Sequence, residues 1–223
     1  IPFLIFLGAA NQIAFDKSYY TSKLLEYGIN FPEADSLNEK TVDFVAGKNN
    51  ELPDAYSERE KQHLRDVRNA VKISKIMLYA FALLSISLIL ASASILKAGS
   101  NIANFTGKVL ACGGFLAIGL AALVFLIISF NFTSAFDSFH KLFFRQGTYT
   151  FDPENEIIVR LYPEQLFMDL GLKILKWVLF VSALSPIIGM FLIVKSKKQK
   201  IKNPSYTPLR SFLNPQSTIS LTN

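Results

Sequence analysis

The chain alternates between long apolar blocks and polar segments. Residues 76–96 and 109–130 contain no charged side chain, and residues 174–194 contain only Lys176, near the start of the block. A helix rises about 1.5 Å per residue, so about 20 residues cross the roughly 30 Å of hydrocarbon in a bilayer. The pattern therefore predicts a membrane-spanning helix in each of these three blocks.

A fourth, shorter apolar block occupies residues 1–15 and contains Asn11 and Gln12. The chain opens with Ile1 rather than Met, so we expect the start of this block to be missing. The alternative is the apolar part of a signal peptide, with Gly-Ala-Ala at 8–10 as a small-residue cleavage site. We favour a span, which predicts an all-α membrane protein with four transmembrane helices.

Charge sets the expected orientation. All 17 acidic side chains lie within residues 16–66 or 137–169, whereas the region after residue 194 carries only basic ones. These basic residues are Lys195, Lys197, Lys198, Lys200, Lys202 and Arg210. Because Lys and Arg near span ends mark the cytoplasmic side, both termini are predicted to be cytoplasmic and both long connecting segments extracytoplasmic, in a plasma membrane.

The predicted boundaries follow from the blocks. In chain order they are transmembrane helix 1 at 1–15, an extracytoplasmic segment at 16–75 with a pre-span helix at 57–75, transmembrane helix 2 at 76–96, a cytoplasmic loop at 97–108, transmembrane helix 3 at 109–130, an extracytoplasmic segment at 131–173, transmembrane helix 4 at 174–194, and a basic cytoplasmic tail at 195–223.

The two outer segments carry local signals of structure. Residues 29–56 contain several Pro, Asn and Gly residues and are predicted as loop with short strands or turns. Ser57 and Glu60 form a capping-box pattern at the start of a helix that runs into the second span. Residues 157–162 are predicted as a short strand or extended piece, and Pro163 suits the first turn of the helix that leads into the last span.

Composition narrows the function. The net charge of +6 follows from the basic tail, which we expect to contact anionic lipid headgroups; no nucleic-acid partner is predicted. The single cysteine, Cys112, lies in an apolar block and is predicted to be a small buried hydrophobe. The spans carry no acid and no basic residue except Lys176, which disfavours transport. The sequence has no phosphate loop and no metal-ligand cluster, so we expect no cofactor and no metal.

Both histidines lie in the outer segments. His63 and Asp66 are three residues apart and so share one face of the pre-span helix. A carboxylate at that spacing can orient an imidazole for general-base work, although a solvated helix with charges of both signs is the simpler interpretation.

His140 lies in a stripe of aromatic residues at helical spacing. The stripe consists of Phe132, Phe136, Phe139 and Phe143. We expect this helix to lie at the membrane interface, where an aromatic belt is common, and where the histidine would be beside apolar surface able to receive acyl chains.

Four short motifs stand in a fixed order around the spans. They are His-x-x-Asp-Val-Arg at 63–68, Phe-x-x-Phe-His at 136–140, Phe-Asp-Pro at 151–153 and Tyr-Pro-Glu-x-x-Phe-x-Asp at 162–169. In this order they resemble the lipoprotein intramolecular transacylase family of four-span bacterial membrane proteins. The resemblance extends over residues 1–195.

The resemblance implies an acyl transfer within a diacylglyceryl lipoprotein, from the sn-2 position of the glycerol to the α-amino group of the N-terminal cysteine. The partners implied are this lipoprotein and membrane lipids. The positions that match the family's essential histidines are His63 and His140. From the spacing on the pre-span helix, Asp66 is the candidate that orients His63.

The remaining candidates follow from the mechanism. A developing oxyanion needs a donor, for which Arg68 is the first candidate and Arg160 and Tyr149 are the next. No Ser or Cys has a nucleophile motif, which favours direct transfer. In a straight pre-span helix His63 would stand roughly 20 Å from the hydrocarbon, so we expect that helix to tilt or break if His63 and His140 act together.

Two other functions stay open. One is a different lipid-active membrane enzyme, such as a phospholipase or an intermolecular acyltransferase, that uses the same two histidines. The other is a non-enzymatic membrane protein whose outer segments bind a partner or scaffold an assembly.

Overall fold

All regular structure in the described part of the chain is helical. The computed structural model describes residues 1–96, 99–144 and 149–202. The helices are α1 (Pro2–Ile13), α2 (Lys17–Glu26), α3 (Ala34–Ala46), α4 (Glu58–Leu96), α5 (Gly99–Phe143), α6 (Ile157–Leu161) and α7 (Glu164–Lys202). Helices α4, α5 and α7 are long and apolar enough to cross a membrane, whereas α1 is a shorter apolar helix of 12 residues.

Small residues bring α5 and α7 together. A Cβ atom added to Gly107 would lie 2.6 Å from the carbonyl oxygen of Gly189, so the two backbones nearly touch. Ala117 and Ala121, which also lie on α5, are completely buried. Close approach of this kind is typical of packed helices in membranes, where association depends on van der Waals contact.

Helix α1 packs against all three long helices. The Nδ2 atom of Asn11 donates to Ser74 Oγ on α4 at 2.9 Å, and the rings of Phe3 and Phe81 stack with centroids 5.1 Å apart. Ile5, on the same helix, packs near Ala121 and Val178 of α5 and α7. Asn11 therefore has hydrogen-bond partners within the packed helices, at Leu7 and Ser74.

Helices α2, α3 and α6 form a polar layer over one end of the long helices. Its apolar contacts join α2 and α3 to α6, with Leu24, Leu37 and Leu161 buried in one cluster. An ion pair of 2.6 Å between Lys23 and Asp169 ties α2 to the first turns of α7. The layer thus rests directly on the ends of the long helices near the start of α7.

The predicted capping box is confirmed. The Glu60 carboxylate accepts from the Ser57 amide at 2.7 Å, and the Ser57 hydroxyl accepts from the Glu60 amide at 3.3 Å. From Glu58 the helix runs without interruption to Leu96, as the absence of Gly and Pro predicts.

The prediction of loop with short strands for residues 29–56 is wrong. Residues 34–46 form helix α3, with Leu37, Thr41 and Phe44 buried along one face. These three residues follow helical spacing, which the flanking Pro, Gly and Asn residues obscured. Gly47 ends the helix with φ of 83°, a left-handed conformation that glycine adopts without strain.

The predicted strand at 157–162 is also wrong, because those residues form the short helix α6. The β-branched residues favoured a strand, but a tertiary contact decides the conformation. The Glu60 carboxylate of α4 accepts a hydrogen bond of 2.8 Å from the Ile158 amide, one of the free donors in the first turn of α6. The helix that leads into the last span does begin directly after Pro163.

Helix α5 is longer than predicted at both ends. It begins at Gly99, so most of the predicted loop at 97–108 is helical; Lys97 and Ala98 lie outside the described residues. The helix deviates at Asn131, where φ is −161°, and the Asn131 side chain accepts from the Ser134 amide at 3.0 Å. This contact caps a second helical stretch, which carries the aromatic stripe.

Two further predictions concern Cys112 and the basic tail. Cys112 is exposed rather than buried, because its neighbours Gly113 and Gly114 make the contacts with α1 and α7. Helix α7 continues to Lys202, and the part of the predicted tail beyond it, including Arg210, lies outside the described residues.

Candidate active site

The two histidines meet although they are 77 positions apart in the sequence. Their ring centroids are 6.0 Å apart with an angle of 21° between the planes. His63 lies near the start of α4 and His140 near the end of α5, so both helices extend beyond their apolar blocks to a similar height. Of the two expected alternatives, a tilt or a break of the pre-span helix, the break does not occur, since α4 is continuous from Glu58 to Leu96. The histidines meet because α5 also continues beyond its apolar block, to Phe143.

Aromatic rings surround the pair. Phe144 and Phe151 contact His63, with ring centroids at 4.9 and 5.4 Å. Phe136 and Tyr149 contact His140, at 4.2 and 5.4 Å. Two residues of the stripe, Phe136 and Phe139, contribute to this enclosure together with residues that follow α5.

A hydrogen bond fixes the tautomer of His140. Its Nδ1 atom lies 2.8 Å from the carbonyl oxygen of Phe136, one turn earlier in α5. A carbonyl oxygen can only accept, so Nδ1 carries the proton and donates it. In the neutral ring the lone pair is then on Nε2, which is the atom a general base needs.

Burial sets the protonation of His63. Only 7% of the residue is exposed. The pKa of His63 is lowered to about 4: burial is the largest cause, the neighbouring His140 adds to it, and the charge of Asp66 opposes both. His63 is therefore neutral near pH 7, and its ring can donate a hydrogen bond without carrying charge.

Asp66 lies beside His63 without a direct hydrogen bond to it in the described part of the chain. Its Oδ1 atom accepts from Gln62 Nε2 at 3.1 Å. Its Oδ2 atom and His63 Nδ1 are both buried, and neither has a hydrogen-bond partner. Asp66 thus influences His63 through its charge rather than through the orienting contact that the spacing predicted.

The three candidate oxyanion donors have different surroundings. The Arg68 guanidinium donates to Asn50 at 2.8 Å and lies over the ring of Phe44. Arg160 is exposed and lies over the ring of Phe31. Among these three described side chains, Tyr149 is the one whose ring contacts a histidine, His140.

Sequence reasoning missed the group that holds Phe151 against His63. Arg59 makes two hydrogen bonds to Glu156, of 3.0 and 2.6 Å, and its guanidinium lies 5.4 Å from the centre of the Phe151 ring. Glu156 also accepts from the Asp152 amide at 2.7 Å. Paired charges almost 100 positions apart leave no signal in a single sequence.

The arrangement suits proton transfer in a dry setting. His140 presents Nε2 as a base, His63 is a neutral imidazole, and the enclosing rings limit contact with water. Hydrogen bonds and charges act more strongly where water is excluded. A base beside a neutral imidazole donor can support acyl transfer, in which the attacking group loses a proton and charge develops on a carbonyl oxygen.

Known proteins share this architecture. The family model for "Lipoprotein intramolecular transacylase Lit" matches residues 1–167 of the 223. An in meso structure of the membrane-integral Lit from Bacillus cereus is 24% identical and matches with a TM-score of 0.75, covering 88% of this chain and 92% of that one. Two variants of the same protein, with a histidine replaced by arginine or alanine, match with TM-scores of 0.71 at 24% identity; one match covers 89% of both chains, and the other covers 88% of this chain and 90% of that one.

Comparison with curated protein sequences gives no match. The solved structures support the fold, since all three contain a membrane-integral protein, and the family model extends over more than half of the chain. This chain belongs to the lipoprotein intramolecular transacylase family and is an integral membrane protein.

Proposed function

We propose that this protein moves the sn-2 acyl chain of a diacylglyceryl lipoprotein to the α-amino group of the lipoprotein's N-terminal cysteine, and that His63 and His140 form the active site. The observation that carries the proposal is the contact between these two histidines, 6.0 Å apart between ring centroids. The substrate class is that of the family, and the residues are assigned from their chemistry.

His140 acts as the general base. An amine must lose a proton as it attacks an ester carbonyl, and the lone pair on His140 Nε2 can accept it because Nδ1 is held by the Phe136 carbonyl. The new bond joins the amine nitrogen to the carbonyl carbon. The bond from that carbon to the sn-2 glycerol oxygen breaks, and the proton now on His140 Nε2 passes to this oxygen.

His63 stabilises charge as a neutral donor. Because burial keeps its pKa at about 4, it can offer an N–H group to the developing oxyanion without first gaining a proton. A preorganised donor in a water-poor site stabilises a transition state by several kcal/mol. Tyr149, which contacts His140, supplies a second donor from its hydroxyl group.

The rings around the histidines provide an apolar setting for the acyl chain. Phe139 and Phe143 are largely exposed on the outer part of α5 and can contact lipid. A lipid substrate reaches the site along this surface without entering the aqueous phase. The aromatic stripe begins directly after the apolar block of α5 and reaches His140 through Phe139, which supports this route.

The fourth span and the orientation are part of the same proposal. Helix α1 packs among the long apolar helices through Asn11 and Phe3, which supports its assignment as a first transmembrane helix. The basic residues at the end of α7 support a cytoplasmic position for that end. The helix ends that carry the histidines, and the layer of α2, α3 and α6 over them, are then extracytoplasmic.

The experiment uses the purified protein in lipid vesicles with a synthetic diacylglyceryl cysteine peptide. Transfer keeps the total mass but leaves one acyl chain resistant to mild alkali, because an amide survives conditions that cleave esters. We expect this alkali-resistant product with the wild-type protein. Release of free fatty acid with a lighter lipopeptide would indicate a phospholipase instead and contradict the proposal.

A further inference from the structure

We propose that Asp66 forms the subsite that receives the α-amino group of the substrate and so makes the protein select lipopeptides with a free N-terminus. This inference rests on the proposed function, because that reaction requires a free amine. It assigns Asp66 to contact with the substrate, in place of the orienting role that the sequence predicted.

The first observation is the incomplete pairing of the Asp66 carboxylate. Gln62 donates to Oδ1, but Oδ2 is buried and has no partner in the described part of the chain. The nearest basic residues on α4 are engaged elsewhere: Arg65 donates to Gln62, and Arg68 donates to Asn50. No described cation therefore forms an ion pair with Asp66.

The second observation is independent and comes from His63. This residue is 93% buried, since 7% is exposed, and its Nδ1 atom also has no partner. An unpaired buried polar atom costs about 1–3 kcal/mol. Two such atoms, one turn apart on the same helix face, indicate a place for a polar group that the protein itself does not supply.

The chemistry of the missing group follows from the charge of the site. An α-ammonium group has a pKa of about 7.7–8.0 and carries three N–H donors. Such a group can donate a hydrogen bond to Asp66 Oδ2, the carboxylate oxygen that has no donor. Asp66 lies about 4.5 Å along the helix axis from His63, so an amine bound there stays within reach of the paired imidazoles. The bound ammonium loses one proton to solvent, since its pKa is close to neutral pH. The neutral amine then attacks, and His140 Nε2 accepts the second proton as the new bond forms.

Other acids near the site are already occupied. Glu60 accepts from the Ile158 and Ser57 amides, and Glu156 is paired with Arg59. Glu58 is exposed and pairs with Lys61 at 3.1 Å. Asp66 is therefore the acid on this part of α4 that retains an acceptor for a ligand.

The test measures binding rather than turnover. The probe is a dialkylglyceryl cysteine peptide, whose ether-linked chains cannot be transferred, and its des-amino analogue, in which hydrogen replaces the α-amino group. We expect wild-type protein to bind the free-amine peptide about tenfold more tightly at pH 7. In Asp66→Asn this preference should fall to within about twofold, while binding of the des-amino peptide stays unchanged.

Two further variants complete the design. Glu58→Gln removes an exposed acid from the same helix and should keep the full preference. Asp66→Glu retains the charge and should keep a preference even if its affinity is lower. A preference that persists in Asp66→Asn, or is absent from the wild type, overturns the inference. If wild type shows the preference but does not convert the ester substrate, the proposed function fails while the subsite stands.

Discussion

At the scale of single residues, the two imidazoles differ in burial and in hydrogen bonding. His63 is almost fully buried with an unpaired Nδ1 atom, whereas His140 is half-buried and donates to a backbone carbonyl. The same side chain can therefore act as a neutral donor at one position and as a base at the other. This division of roles follows from environment, as in other sites where two like groups perform different tasks.

The burial of His63 has a consequence for stability. In the unfolded chain its pKa is near 6.5, and in the folded protein it is about 4. The unfolded state therefore binds more protons between these values, so stability falls as pH decreases from about 6.5 toward 4. The contribution lost is on the order of 3 kcal/mol.

Thermal unfolding in detergent at pH 7.5, 5.5 and 4.5 measures this effect. We expect the wild-type midpoint to fall more steeply over this range than that of His63→Gln, which has no titrating ring. Equal pH dependence in the two proteins would show that protonation of His63 does not limit acid stability.

The sequence was sufficient to name the two histidines, but not to predict which side chains surround them. His63 and His140 could be named from motifs and from their positions relative to the spans. The contact of Phe151 with His63 could not be predicted, because it depends on the Arg59–Glu156 ion pair between distant segments. The unpaired oxygen of Asp66 likewise depends on where Gln62, Arg65 and Arg68 point.

At the scale of elements, the long helices were predictable and the outer layer was not. Runs of about 20 apolar residues leave few alternatives to a helix. Helix α6 contradicted its β-branched sequence because Glu60, about 100 positions away, accepts from its first turn. Long-range contacts of this kind override local propensity.

Loss of the Glu60 contact should loosen α6. Glu60→Ala removes hydrogen bonds from the Ile158 and Ser57 amides and leaves a buried donor without a partner. We expect destabilisation by about 2 to 3 kcal/mol, seen as a lower unfolding midpoint. Glu58→Ala, which alters an exposed acid two residues away, should cost less than about 1 kcal/mol. Similar losses in both variants would contradict a special role for Glu60.

The packing of α5 on α7 gives another prediction. Gly107→Ala places a Cβ atom 2.6 Å from the Gly189 carbonyl oxygen, whereas a Cβ atom at Gly119 has nothing within 4 Å. Because the backbone must shift, Gly107→Ala should destabilise the protein by about 1–3 kcal/mol. Gly119→Ala should be neutral or slightly stabilising, and unfolding in detergent compares the two. A neutral effect at Gly107 would mean that the helices are not in such close contact.

At the scale of the whole molecule, charge and hydropathy predict that the histidines and the basic end of α7 lie on opposite sides of the membrane. Single-cysteine proteins test this orientation in a Cys112→Ser background. Asn155→Cys in the outer layer should react with a membrane-impermeant maleimide in intact cells, and Lys198→Cys should react only after permeabilisation. Both positions are exposed in the structure. The reverse pattern would invert the proposed orientation.

The central claim is tested most directly on a reporter lipoprotein in a host that lacks its other N-acylation route. Tandem mass spectrometry of the N-terminal peptide distinguishes an acyl chain on the amine from one on the glycerol. With wild type we expect an N-acyl, monoacylglyceryl cysteine, and with His63→Ala or His140→Ala, at equal membrane levels, the unchanged diacylglyceryl form. N-acylation that persists in both variants, or is absent with wild type, would contradict the account.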